Sequence, residues 1–136
     1  MSGEIDLDRL LASLTAKLDE EIYVFATIAD GTIPAGLKPR MVFQETEGTT
    51  LILTQSEATS AGIDHEFPSR MITLNVHSSL EAVGFIARIS AELTRHGMGV
   101  NPVAGYYHDH LFVPDGREQD ALQVLEQIAR ESSDRS

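Results

Sequence analysis

The residues from Arg70 onward read strand, helix, strand, strand, helix, and the chain then runs out of sequence. A split βαβ arrangement built on that order needs one more strand to complete its sheet. RMITLNV (70–76) is apolar and β-branched. SSLEAVGFIARISAELTRHG is long enough for a helix of several turns, and GVNPVAGYY and HLFVP are two further strands. DGREQDALQVLEQIARESS closes with a second helix. The missing strand has to come from the first half, and the segment 22–29 is the natural donor. Two interlocked α/β units follow, rather than two separable domains. The absence of a Pro/Gly/Ser-rich linker agrees with that.

The first half supplies the other elements. Leu7, Leu10, Leu11, Leu14 and Leu18 recur at helical spacing and predict a helix over 6–18. EIYVFATIADG is rich in β-branched and aromatic residues and stops at the turn signal Asp30-Gly31. TIPAGLKPR carries two prolines and a glycine and is expected to be loop. MVFQETEG and TTLILTQ predict a hairpin around Glu47-Gly48. SEATSAG predicts a short helix with Ser56 as N-cap and Gly62 as its stop. The closing helix has Asp115 as its N-cap candidate and Glu118 in its first turn, and the last residues, SSDRS, are expected to fray.

Composition narrows the function classes. The 136 residues carry a formal net charge of −11. Such a surface repels phosphate backbones and anionic membrane faces, so neither nucleic acid nor membrane is an expected partner. No apolar run approaches the ~20 residues of a membrane span, and MSGEIDLDRLL lacks the basic and apolar regions of a secretory signal. A cytoplasmic protein is expected. There are no cysteines, which excludes disulfides, thiolate catalysis and cysteine-ligated metal.

The start of the long helix carries the sharpest local signal. Ser78-Ser79-Leu80-Glu81 fits a capping box, with Ser78 as N-cap and Glu81 at the third helical position. Ala82, Ile86, Ile89 and Leu93 form the expected buried seam, Gly97 ends the helix, and Glu81, Arg88, Glu92 and Arg95 line the wet face. Phe85 falls on that wet face, which marks it as an incidental exposed aromatic, a subunit contact or part of a ligand pocket. The junction of strand and helix leaves backbone N–H groups that can receive a carboxylate, unless Ser78 and Glu81 already satisfy them.

The stretch NPVAGYYHDHLFVP (101–114) poses the second question. Its Tyr106-Tyr107 and Leu111-Phe112-Val113 look like hairpin arms meeting at a two-residue turn, His108-Asp109. Three readings stand open. A metal site needs a third ligand beside His108 and His110, from His77, Asp109, His65 or His96. A His–Asp general base has no visible nucleophile to serve. A hairpin tip that holds neighbouring elements or a subunit partner needs no further chemistry. Gly105 points to a bulge or a close backbone approach, and Pro102 to an edge or irregular strand.

HSSLEAVGFIARIS followed by NPVAGYYHDHLFVP resembles the ACT-domain group of small bacterial proteins. The second half is also similar to the ACT modules of aspartate kinases and of CASTOR arginine sensors. DLDRLLASL, YVFATI, MVFQETEGTTLIL and SEATSAG match the opening half of the same small proteins, so the resemblance spans residues 6–128. It implies an α+β, ferredoxin-like chain of two interlocked ACT-like βαββαβ units, an N-terminal half over 1–66 and a C-terminal ACT domain over 67–136. It implies a non-enzymatic regulatory protein that binds an amino acid or another small effector between modules, with no metal or cofactor. The matching ligand positions are His77, Ser78, Ser79, Leu80 and Glu81 after the first strand of the second half, faced by Asn101, Val103 and Ala104. Pro102 departs from the apolar residue common in the family and removes a backbone donor. A ligand-free interaction module is the alternative, and a histidine-based metal-binding protein a further one. A homodimer is the implied assembly, with Phe85 as a candidate contact. No catalytic domain accompanies the modules in these residues, so any regulatory output is expected in trans.

Overall fold

The computed structural model describes residues 6–76 and 82–135. In chain order these form α1 (Leu7–Ala12), β1 (Ala16–Ile28), β2 (Met41–Gln44), β3 (Thr49–Thr54), α2 (Gln55–Ser60), β4 (Glu66–Leu74), α3 (Phe85–Arg95), β5 (Asn101–Ala104), β6 (Asp109–Pro114) and α4 (Glu118–Arg135). They divide into two compact units. One comprises the described residues through Asp19 together with those from Arg70 onward; the other is Glu20–Ser69. β1 and β4 each begin in one unit and end in the other.

In the Glu20–Ser69 unit the strand order is β2-β3-β1-β4. β2 pairs antiparallel with β3, Met41 opposite Ile52, and β1 with β3, Tyr23 opposite Thr54. Alternation along β1 sends Val24 and Ala26 to one face, where they form a core with Leu51, Leu53 and Ala58. Ile33, Leu37 and Ile63 close that core from loops. The expected hairpin is present, joined by residues 45–48, with Glu45 and Gly48 exchanging N–H···O bonds of 2.9 and 3.4 Å. The expected short helix is also present and ends before Gly62, whose φ of +68° suits glycine.

The N-cap of α2 is Thr54, not Ser56. The Thr54 hydroxyl accepts the Glu57 N–H at 3.1 Å, and the Glu57 carboxylate accepts the Thr54 N–H at 3.3 Å, a complete capping box. A reciprocal box satisfies two orphan donors where a cap at Ser56 satisfies fewer. β4 starts at Glu66, four residues ahead of the expected Arg70. Its second residue, Phe67, has φ +59°, the only non-glycine with positive φ among the described residues.

In the other unit the order is β1-β4-β6-β5. The strand that completes this sheet is β1, as the strand count demanded. The part belonging to the unit is 16–19, however, and not the 22–29 expected as donor. The cause is the early end of α1. Ser13 caps it by donating through N–H and hydroxyl to the Arg9 carbonyl, at 3.1 and 2.9 Å. Leu14 and Leu18 then enter the core from extended chain rather than from the predicted 6–18 helix. A spacing of four suits both conformations, because it is one helical turn and also two full pleats of a strand.

Each unit therefore carries the antiparallel strand order of a ferredoxin-like fold, in the α+β class, and in the Glu20–Ser69 unit a loop over 29–40 stands where the first helix would be. The core of the larger unit is Leu10, Leu11 and Leu14, Ile72 and Leu74, Leu111 and Val113, and the inner faces of α3 and α4. α3 begins only at Phe85, with Gly84 as N-cap in the left-handed region (φ +92°), so 82–84 are not helical as expected. Phe85 is 3% exposed and lies in the core, not on the wet face. With the helix starting there, Phe85, Ile89 and Leu93 form the buried stripe at i, i+4, i+8. α4 starts at Glu118, whose carboxylate accepts the Gly116 N–H at 2.7 Å, so Asp115 lies in the preceding turn and is not its N-cap. The expected frayed tail is helix through Arg135, with Ser132 only 1% exposed.

Candidate functional site

The site expected from the resemblance lies between β4 and α3. β4 ends at Leu74; the Asn75 N–H donates to the Thr15 carbonyl at 2.7 Å, and Val76 is buried. His77, Ser78, Ser79, Leu80 and Glu81 lie outside the described residues, and with them the expected capping box. On the far side, Val83 is 85% exposed and Gly84 opens α3 without a side-chain acceptor. The contrast with α2 is direct. There the cap residue satisfies a first-turn N–H; at α3 the cap residue has no side chain to do so.

Asn101, Val103 and Ala104 lie on β5, at the edge of its sheet. Register separates them. Asn101 is opposite Phe112 and Val103 opposite His110, while Pro102 and Ala104 are opposite Leu111 and Asp109. Paired residues share a face, so Asn101 and Val103 lie on one side and Ala104 on the other. The side with Asn101 also holds Thr73, whose hydroxyl is 2.9 Å from His110 Nδ1. Sequence reasoning missed that pairing, because β4 and β6 are brought together only by the fold. Pro102 is exposed on the edge strand, as its missing N–H requires.

The β5–β6 connection corrects the expected hairpin. Ala104 pairs with Asp109, and residues 105–108 form the loop, closed by the Gly105 N–H donating to the His108 carbonyl at 2.8 Å. Tyr106 and Tyr107 are thus the loop and not a strand arm. They are about two-thirds exposed, at 66% and 64%, and meet edge to face at 5.0 Å. A Cβ on Gly105 would stand 3.0 Å from the His108 carbonyl oxygen, which is the close approach the glycine signalled. With four residues in the loop, none of Tyr106, Tyr107 and His108 takes the positive φ that a His-Asp two-residue turn would demand.

Of the histidines considered as metal ligands, His108 and His110 have ring centroids 6.5 Å apart, and His110 is engaged by Thr73. His65 Nδ1 is 2.9 Å from the Ile63 carbonyl and His96 Nδ1 is 2.9 Å from the Glu92 carbonyl. Among the described residues no group of three or more histidines and carboxylates could hold a metal ion. A shift in acidity is found in the Glu20–Ser69 unit. The Glu57 carboxyl is held below its ordinary value chiefly by the Lys38 N–H at 3.0 Å; burial opposes this, and hydrogen bonds from Thr54 lower it further. No helix among the described residues is long and apolar enough to cross a membrane.

Two protein-family models, both described as ACT domain, match the chain, one over residues 2–70 and one over 66–127. A Vibrio cholerae crystal structure is 40% identical, with a TM-score of 0.81, and the alignment covers 90% of this chain and 95% of that one. It is described as a protein of unknown function and possible transport protein. An Agrobacterium tumefaciens protein is 15% identical with a TM-score of 0.73, covering 85% and 89% of the two chains. The ligand-free regulatory subunit of aspartate kinase from Thermus thermophilus is 12% identical with a TM-score of 0.59, covering 83% and 95%. These last two likenesses are of fold. No curated protein matches the chain significantly. Family matches over both halves, on units that each carry the ferredoxin-like strand order, place this chain in the ACT-domain family as a tandem ACT protein.

Proposed function

We propose that the chain is a non-enzymatic regulatory protein that binds a small effector, an amino acid, and acts in trans on a partner. The observation that carries this reading is the tandem ACT match over residues 2–70 and 66–127, and the proposed halves are 1–66 and 67–136. Regulatory subunits of aspartate kinase share the fold, which supports a regulatory role. The proposed site is the β4–α3 junction, His77, Ser78, Ser79, Leu80 and Glu81, with Asn101, Val103 and Ala104 from β5. The effector carboxylate meets the amides of Ser79 and Leu80, and its ammonium meets carbonyls or the Asn101 side-chain oxygen. Gly84 gives the start of α3 no side-chain acceptor, which supports an anion near this end of the helix. The protein works in the cytoplasm as a homodimer, without metal, cofactor, nucleic acid or membrane.

A thermal-shift panel of the common amino acids tests this. A ligand at ~100 times its dissociation constant adds roughly 2.7 kcal/mol and raises the melting temperature. Ser79→Trp is expected to abolish the shift with the melt of the free protein unchanged. Retained binding would contradict the placement. No shift with any amino acid would favour the second reading, a ligand-free interaction module. The exposed pair Tyr106 and Tyr107 supports that reading.

A further inference from the structure

The effector reading puts the ligand between β4 and α3, and both flanks of that connection rest on one short stretch of chain. Before it, the Asn75 N–H donates to the Thr15 carbonyl at 2.7 Å. After it, Gly84 opens α3, and a Cβ on Gly84 would stand 3.4 Å from the Leu7 Cδ2 methyl. Among the described residues nothing else, its chain neighbours apart, comes within 4 Å of that point. Leu7 is the first residue of α1, and Thr15 follows shortly after the helix ends at Ala12.

The stretch 6–15 is held as one piece. The Asp6 carboxylate accepts the Arg9 N–H at 3.1 Å, and the Asp6 carbonyl accepts the Leu10 N–H at 3.0 Å. The Leu14 N–H donates to the Leu11 carbonyl at 3.3 Å, and Leu10, Leu11 and Leu14 are buried in the core of their unit. A helix of six residues does not persist alone, so α1 is ordered by where it docks. Displacing it withdraws the carbonyl from Asn75 and the methyl from Gly84 together. Gly84 is the freer of the two flanks. Its φ of +92° is one that glycine adopts at little cost, and it has no side chain of its own to pack. The Leu7 methyl supplies packing at that position.

We propose that Leu7 is a positioning residue for the effector: α1 braces both ends of the connection, so the amides of Ser79 and Leu80 are set for a carboxylate before it arrives. The inference rests on the effector reading above. A preorganised site binds more tightly because the cost of ordering it is not charged to binding. The coupling is reciprocal, so a ligand that uses the braced connection tightens the docking of α1.

Isothermal titration of the full chain with each of the common L-amino acids tests the proposal. The wild type is expected to bind at least one of them. Leu7→Ala raises the Kd for that amino acid roughly tenfold. Leu7→Met, which keeps the volume, restores it to near the wild-type value. Val124→Ala is the control, since Val124 lines a groove with Glu92 and His96 at the far end of α3. It lowers the melting temperature and leaves the Kd unchanged. Amide hydrogen exchange on the unsubstituted protein gives a second measurement. The Leu10 and Ser13 amides, both bonded within α1, slow when the same amino acid is added. A wild type that binds no amino acid overturns the effector reading and this inference with it. Equal affinity in Leu7→Ala and wild type, or equal weakening in Val124→Ala, overturns the brace and leaves the effector reading standing. If circular dichroism shows Leu7→Ala unfolded, the exchange measurement decides, and α1 amides that do not slow overturn the proposal.

Discussion

Gly48 shows how far one missing methyl group constrains a hairpin. A Cβ there would stand 2.7 Å from the Thr27 hydroxyl oxygen and 3.1 Å from the Ile28 carbonyl oxygen, both on the neighbouring strand β1. The carbonyl cannot yield without breaking the β1–β3 register, in which Ile28 is opposite Thr49. Gly48→Ala is expected to destabilise by about 1–3 kcal/mol, read as a lower urea midpoint with unchanged slope. The glycine's role as a turn residue was visible in Glu47-Gly48; its contact with β1 was not, because sequence does not say which strand lies beside a turn. Phe85 makes the same point in reverse. It stands three residues after Ala82 and four before Ile89, a spacing that belongs to the buried stripe and not to the wet face. The Thr73–His110 bond joins residues on two strands whose pairing no local pattern announces.

At the scale of elements, end chemistry decides length. α2 has only six residues, too short to persist by propensity, and its Thr54–Glu57 box with the Lys38 N–H holds its start. The carboxyl of Glu57 is bound more tightly when ionised, so its pKa is lowered on folding. The resulting stability is fully present above the ordinary value of 4.5 and is lost as pH falls through the lowered value. Urea midpoints taken from about pH 6 down to pH 3 should fall, and Glu57→Gln should flatten part of that fall. An unchanged slope in the variant would remove Glu57 from the account. The short helix was legible as SEATSAG, yet its cap was placed two residues late, since both Thr54 and Ser56 carry a hydroxyl. Only the backbone geometry shows which one meets the third helical N–H.

For the molecule as a whole, repeat and compact unit are different divisions. The unit built on β4, α3, β5, β6 and α4 also holds α1 and the start of β1, and Leu10, Leu11 and Leu14 are buried in its core. Burying each leucine contributes roughly 1.5–3 kcal/mol, and a domain's net stability is only about 5–15 kcal/mol. Residues 67–136 expressed alone are therefore expected to show no cooperative melt by circular dichroism, whereas the full chain melts cooperatively. A sharp transition in the fragment would contradict this. What local pattern alone determined was the inventory: the strand count, the hairpin at Glu47-Gly48 and the demand for a strand from the first half; the α+β class came with the family resemblance. The inventory rests on periodicity and turn chemistry, which are local. The tertiary structure decided where α1 stops and which stretch of β1 completes the sheet. Those choices depend on burial against distant residues, and a leucine spacing of four serves a helix and a strand equally well.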